Sequence, residues 1–144
     1  MAERAAVQPV ADRRVWIVED EPAAAALAVE LCQASGAVAS VFRAPLPFLS
    51  ALRAGNPPAA VVLDWRLEDQ LSAALFLATR HQHPTLAVVY WTGSAAGGLP
   101  SMIRDDAFTR VVNKAAGARA FEEAVAWALA DAPGDAEEGE AGPG

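Results

Sequence analysis

Short apolar runs alternate along the chain with longer stretches rich in Ala and Leu. Apolar runs bounded by turn residues are typical of buried strands, and five of them predict strands. The predicted strands cover residues 14–19, 37–42, 59–64, 86–91 and 109–114. The third and fourth are apolar almost throughout, as expected for central strands of a parallel sheet with helices on both faces.

The stretches between these runs predict helices. The first helix begins at Pro22, where proline suits an opening helical turn, and ends near Gly36. The other predicted helices cover residues 46–54, 70–82, 94–106 and 118–130. The segment 94–106 is the weakest of them, because Gly97, Gly98 and Pro100 all disfavour a helix.

Alternation of strands and helices predicts an α/β fold: a doubly wound, five-stranded parallel sheet with helices on both faces, flavodoxin-like. The folded unit is expected to span residues 13–130. We expect residues 1–12 to form a flexible N-terminal segment. Residues 131–144 contain five acids and no base among Gly, Pro and Ala, which predicts a disordered acidic tail.

Composition narrows the classes of function. The net charge is −7, and the folded unit has no basic face of the kind that nucleic acid requires. No apolar run approaches the roughly 20 residues of a membrane span. The single cysteine, Cys32, cannot form an internal disulfide, which fits a reducing compartment. We therefore expect a cytoplasmic protein that binds neither nucleic acid nor membrane.

Charged and hydroxyl side chains stand at the ends of four predicted strands. Glu19 and Asp20 end the first strand, and Asp64 ends the third. Thr92 follows the fourth strand, and Lys114 ends the fifth. Because the carboxyl ends of parallel strands meet at one edge of a sheet, where ligands bind, we expect these five side chains to converge.

This set of residue types favours phosphoryl chemistry with a divalent ion. Crowded carboxylates raise one another's pKa unless a cation joins them. Ligands that are all oxygen suit Mg²⁺, whereas zinc prefers His or Cys. A carboxylate beside Mg²⁺ can attack a phosphoryl group, while an ammonium and a hydroxyl contact the phosphoryl oxygens.

Four segments, VEDEP, VVLDWRL, VVYWTG and VVNKA, resemble in order and spacing the motif blocks of one family. That family is the receiver domain of bacterial two-component response regulators, in its stand-alone, chemotaxis-regulator-like form. The resemblance covers roughly residues 13–130. It implies that Asp64 is the phospho-acceptor and that Thr92 and Lys114 contact the phosphoryl group.

The same resemblance implies a Mg²⁺ site and a function. The metal would be held by Asp20 and Asp64, by Glu19 through water, and by the backbone carbonyl of Arg66. A sensor histidine kinase or a phosphotransfer protein would phosphorylate the chain in a phosphorelay, with output through protein–protein contacts. The chain would slowly hydrolyse its own acyl phosphate without being a turnover enzyme.

The chain departs from the family pattern at positions that concern output. Val111 replaces the usual aromatic residue three before the Lys, and Ala115 replaces the usual Pro after it. These departures leave open an alternative, a receiver-like adaptor that binds partners without phosphorylation. Trp127 lies off the apolar stripe of the last helix, so we expect it to be exposed enough for a partner or homodimer contact.

Enzymes on a similar sheet are disfavoured. A phosphatase of the haloacid dehalogenase type generally needs an acid two residues after its strand-end Asp, where this chain has Arg66. A flavin or nucleotide carrier would need a loop rich in Gly or Ser/Thr after the first strand. The loop here is Glu-Asp-Glu-Pro, which would repel a phosphate.

Overall fold

The computed structural model describes residues 12–64, 66–67, 70–93 and 99–130, so the segments 1–11 and 131–144, predicted to be flexible, lie outside the described residues. The strands are β1 (Arg14–Val18), β2 (Val38–Phe42), β3 (Ala60–Leu63), β4 (Arg66–Leu67), β5 (Gln70–Leu71), β6 (Ala87–Thr92) and β7 (Thr109–Asn113). The helices are α1 (Pro22–Ala34), α2 (Pro45–Ala54), α3 (Ala73–Gln82), α4 (Ser101–Arg104) and α5 (Ala118–Leu129), with a 3₁₀ turn at Lys114–Ala116.

Five strands form one parallel sheet in the order β2-β1-β3-β6-β7. This order confirms the predicted doubly wound, flavodoxin-like fold. Each of the five predicted strands is present, and its bounds agree with the prediction to within one residue. Since β1 lies between β2 and β3, the ends of β1 and β3 are neighbours at the carboxyl edge of the sheet.

A short antiparallel hairpin follows β3 and was not predicted. Its strands β4 and β5 pair Arg66 with Leu71 and Leu67 with Gln70. The sequence predicted a helix from residue 70, but the backbone of residues 70–71 belongs to the hairpin. Helix α3 therefore begins only at Ala73, after Ser72.

Alternate residues of the strands bury apolar side chains on both faces of the sheet. One face packs against α1 and α5, through residues such as Ile17, Val89 and Phe121. The other packs against α2, α3 and α4, through residues such as Val61 and Tyr90. Burial on both sides explains why β3 and β6 are apolar throughout rather than alternating.

Two sequence expectations about the helices have different outcomes. The segment 94–106 was expected to be a poor helix, and α4 has only four residues, Ser101–Arg104. Trp127 on α5 was expected to be exposed, but it is half-buried, and the Arg110 guanidinium lies 4.8 Å from the centre of its ring. Its role as a partner contact stays a prediction. No helix within the described residues is long and apolar enough to cross a membrane.

The end of the sheet opposite the carboxyl edge is tied together by Arg80. Its guanidinium donates to both carboxylate oxygens of Asp106, at 3.2 and 2.7 Å. It also donates to the backbone carbonyls of His83 and Leu86, at 3.1 and 2.8 Å. Asp106 in turn accepts a hydrogen bond from Thr109 Oγ1 at 2.7 Å. The end of α3 is thereby joined to the start of β6 and β7.

We expect Asp106→Ala to lower the free energy of unfolding by about 2–3 kcal/mol, because it leaves the half-buried Arg80 without its carboxylate. Both side chains of this pair are 16% exposed. Asp12→Ala is the matched control, since Asp12 also accepts two hydrogen bonds from an arginine but its side chain is 44% exposed. That change should cost less than about 1 kcal/mol. Urea unfolding measures both, and equal losses would contradict the assignment.

Candidate functional site

The carboxyl edge of the sheet brings together side chains from three separate strands. Glu19 and Asp20 follow β1, and the Glu19 amide donates to the carbonyl of Phe42 at 3.1 Å, which extends the β1–β2 ladder by one residue. Asp64 directly follows β3, and Lys114 directly follows β7. The side chains of the three acids and of Lys114 therefore lie close together at this edge, as the sequence predicted.

One carboxylate oxygen from each of Glu19, Asp20 and Asp64 lies within 4.8 Å of the other two. Mg²⁺ binds oxygen at about 2.1 Å, so two of its ligands stand at most about 4.2 Å apart. Small side-chain movements would therefore bring all three oxygens into one coordination shell. The donor set is oxygen only, which suits Mg²⁺. This edge of the sheet could hold a divalent ion.

The ammonium of Lys114 joins two of these acids. Its Nζ donates to Glu19 Oε1 at 3.0 Å and to Asp64 Oδ2 at 3.4 Å. Burial alone would lower the pKa of Lys114, but the hydrogen bond to Glu19 and the charge of Asp64 outweigh it and raise that pKa. Lys114 therefore stays charged and offsets part of the repulsion among the acids.

Glu19 is the most buried acid of the site, with 2% of its surface exposed. Burial raises its pKa, and the charge of Asp64 adds to this effect, although the hydrogen bond from Lys114 opposes it. Its other oxygen, Oε2, accepts from the Glu21 amide at 3.2 Å. The ionised form of Glu19 is thus only partly compensated in the metal-free site, and a divalent ion would favour it.

The three consecutive acids after β1 divide into two roles. Glu19 and Asp20 belong, with Asp64, to the group of three carboxylates that could hold a metal ion. Glu21 instead caps helix α1, where its carboxylate accepts from the amides of Ala24 at 2.7 Å and Ala23 at 3.3 Å. An acid at the start of a helix is stabilised by these amides and by the helix dipole.

Thr92 ends β6 and is 1% exposed, in register with Asn113, the residue before Lys114. Its contact with a phosphoryl group stays a prediction. Gly93, which follows it, is exposed, and a Cβ added there would meet no atom within 4 Å. Within the described residues, nothing therefore packs against the backbone of Gly93 at that position.

Arg66 is the first residue of β4, two residues beyond Asp64. Its backbone carbonyl as a metal ligand also stays a prediction. The hairpin that begins at Arg66 leads to Ser72, whose Oγ donates to the Tyr90 hydroxyl at 3.2 Å, while that hydroxyl lies 3.3 Å from the Ser72 carbonyl. Burial raises the pKa of Tyr90, so its hydroxyl stays protonated and can donate.

Sequence reasoning missed one neighbour of the site. The Nζ of Lys114 lies 5.0 Å from the centre of the Trp91 ring. The sequence predicts only a packing role for Trp91, which precedes Thr92 in an apolar strand. A tryptophan one residue before a strand-end threonine is a weak signal, because the contact depends on how β6 and β7 are aligned.

Several solved structures that are similar to this chain are receiver domains. A response regulator receiver domain protein from Clostridium thermocellum has a TM-score of 0.70 at 16% identity, covering 81% of this chain and 93% of that one. One from Bacillus halodurans has a TM-score of 0.69 at 20% identity, covering 84% and 97%. The beryllofluoride-activated NtrC4 receiver domain, solved as a dimer, has a TM-score of 0.70 at 17% identity, covering 81% and 96%.

No protein-family model and no curated protein matches the chain. The chain thus has the receiver-domain fold, as its four motif blocks indicated, at a sequence identity that shows the fold alone.

We expect Mg²⁺ to raise the melting temperature, because an ion bound only by the folded state stabilises it, by about 2.7 kcal/mol at a hundred times its Kd. Asp20→Ala should abolish this rise. Glu21→Ala is the matched control, since it removes the adjacent acid: it should lower the starting stability by about 1 kcal/mol through the lost cap and keep the rise. Differential scanning calorimetry with and without Mg²⁺ measures both, and loss of the rise in both variants would contradict the division of roles.

The raised pKa of Glu19 should be visible in how the free energy of unfolding depends on pH. Its pKa is raised in the folded state, so its contribution to stability is full below the unfolded pKa and is lost as pH rises through the folded pKa. In metal-free buffer, the free energy of unfolding of the wild type minus that of Glu19→Gln should therefore fall as pH rises from about 4 to 8. Saturating Mg²⁺ should reverse the trend, because the metal binds the ionised carboxylate. Urea titrations measure this difference, and a rise without metal would contradict the assignment.

Proposed function

We propose that the chain is the receiver domain of a response regulator, phosphorylated on Asp64 by a sensor histidine kinase or a phosphotransfer protein. Mg²⁺ is the cofactor, and the phosphorylated chain acts through protein–protein contacts in the cytoplasm. The observation that carries the proposal is the contact of one lysine with two acids of a three-carboxylate cluster, Lys114 with Glu19 and Asp64. The receiver-domain fold of the chain agrees with it.

The transfer needs one nucleophile and a balance of charge. A carboxylate oxygen of Asp64 attacks phosphorus; an O–P bond forms as the bond from phosphorus to the donor breaks, and the donor atom leaves with that electron pair. Glu19, Asp20 and Asp64 would hold Mg²⁺, which would supply positive charge to the phosphoryl oxygens when bound. In this proposal the donor approaches past Gly93, which is exposed.

Two further residues contact the transferred group in this proposal. Lys114 already lies 3.4 Å from Asp64 Oδ2, so its ammonium can turn to a phosphoryl oxygen without a change of backbone. The Thr92 hydroxyl donates to another oxygen from the end of β6. Asp64 then carries an acyl phosphate, which the chain hydrolyses slowly; it is not a turnover enzyme.

The departures at Val111 and Ala115 bear on output. Val111 is half-buried against the core face of α2, α3 and α4, and it lies in register with Tyr90. The Tyr90 hydroxyl is bonded to Ser72, in the loop after Asp64. Because the usual aromatic residue is replaced, a receiver-like adaptor that binds partners without phosphorylation is the second candidate function.

Acetyl phosphate with Mg²⁺ should add one phosphoryl group to the wild type, detected by intact-protein mass spectrometry. Asp64→Asn should abolish the addition, and Lys114→Met should slow it by about 10²- to 10³-fold, because a charged donor to the transition state is lost. Asp105→Asn is the control and should react like the wild type. Asp105 is exposed and precedes Asp106, at the end of the sheet opposite the site. Phosphoryl addition that persists in Asp64→Asn would sink the proposal.

Beryllofluoride separates the two candidates, since it occupies an acceptor site without covalent transfer. For a phosphorylated regulator, beryllofluoride with Mg²⁺ should shift amide NMR signals at Asp64, Thr92 and Lys114 and beyond them. For the adaptor, the spectrum should stay unchanged. A histidine kinase that phosphorylates the wild type in a phosphotransfer panel would identify the donor.

A further inference from the structure

The ammonium of Lys114 contacts an aromatic ring as well as two carboxylates. Its Nζ lies 5.0 Å from the centre of the Trp91 ring. A cation within about 6 Å of a ring centre is attracted by the negative face of the ring, and tryptophan is the strongest of the aromatic side chains in this respect. The Lys114 ammonium therefore has three neighbours at the site, namely Glu19, Asp64 and the Trp91 ring.

The ring is fixed by the core rather than by the site. Trp91 is 4% exposed and lies in the apolar layer between the sheet, α1 and α5. Its centre is 4.8 Å from the ring of Phe121 on α5. It is also in register with Val112 on β7, two residues before Lys114. Occupation of the carboxylates by a ligand does not require this ring to move.

The carboxylates, by contrast, can bind either Lys114 or a divalent ion. Glu19 and Asp64 accept hydrogen bonds from Lys114, and they are also two of the three acids that could hold a divalent ion. A bound ion competes with the ammonium for their negative charge. Trp91 takes no part in this competition, because a ring offers no oxygen to the metal. Its attraction for the Lys114 ammonium therefore does not depend on the carboxylates.

We propose that Trp91 is a positioning residue, whose ring holds the Lys114 ammonium beside Asp64 while a divalent ion occupies the carboxylates. The inference rests on the proposed function and deepens it. The end of β6 then supplies two residues to the site, Trp91 and Thr92. Successive side chains of a strand point to opposite faces of the sheet, so these two lie on different faces.

The position of the ammonium can be measured without any phosphoryl transfer. Protons on the Cε of Lys114 near the ring face should resonate upfield, by the ring current, relative to those of the Trp91→Leu variant. The displacement should be of similar size with and without saturating Mg²⁺. An upfield displacement that disappears on addition of Mg²⁺, or that is absent in the metal-free wild type, would overturn the proposal.

The kinetic test uses acetyl phosphate at saturating Mg²⁺. Trp91→Leu should lower the maximal rate of phosphorylation by about 3- to 30-fold, the range expected for loss of a partly desolvated cation–π contact. Trp91→Phe keeps a ring and should stay within about 3-fold of the wild type. The Kd for Mg²⁺ should change less than about twofold in either variant, because the ring is not a metal ligand.

Trp16→Leu is the matched control. Trp16 also lies in a central strand, and its ring packs on Phe42 and Phe48, on the opposite face of the sheet from Trp91. It should react at the wild-type rate, whatever it loses in melting temperature. An equal loss of rate in Trp16→Leu, or a loss in Trp91→Phe as large as in Trp91→Leu, would show a general packing effect and overturn the proposal.

The experiments distinguish failure of the proposed function from failure of the positioning role of Trp91. If the wild type takes up no phosphoryl group although Mg²⁺ binds, the proposed function fails, and the upfield displacement of the Lys114 signals still decides whether Trp91 positions the ammonium. If the wild type is phosphorylated and Trp91→Leu reacts at the same rate, the positioning role fails and the proposed function stands.

Discussion

The site depends on the electrostatic balance between three acids and one lysine at the carboxyl edge of the sheet. Glu19, Asp20 and Asp64 bring like charges within 4.8 Å, and this arrangement is unfavourable unless positive charge joins it. Lys114 is that charge within the described residues, and it bonds to the most buried of the acids. One ammonium offsets only part of the negative charge of three carboxylates. The same acids that bind Lys114 can therefore also bind a divalent ion.

The strand order makes this balance achievable. Glu19 follows β1 and Lys114 follows β7, which are three strand intervals apart, or about 14 Å across the sheet. A lysine has a stem long enough to reach inward from the outer strand, and Trp91 on the intervening β6 supports it on the way. A shorter cationic side chain after β7 would not reach Glu19. The core beneath stays apolar on both faces, which concentrates the polar chemistry at the edge.

Much of this was predictable from the sequence, for physical reasons. Strands buried on both faces read as continuous apolar runs, and the rule that parallel strands end at one edge located Glu19, Asp64 and Lys114 without coordinates. The hairpin β4–β5 was missed, because strands of two residues have no measurable periodicity. Trp91 was missed because its contact depends on the alignment of β6 with β7, and a tryptophan in an apolar run is indistinguishable from core. The half-burial of Trp127 was missed because Arg110 approaches it from another element.

The cap on helix α1 has a consequence for what the site excludes. Phosphate-binding loops commonly use free amides at a helix start to attract anions. Here the amides of Ala23 and Ala24 are already bonded to the Glu21 carboxylate, which places a negative charge where an anion would otherwise settle. An anion at this edge therefore cannot use these two amides without displacing the Glu21 carboxylate. The first turn of α1 therefore disfavours anions, and an anion that binds at this edge depends on Lys114 or on a bound cation for positive charge.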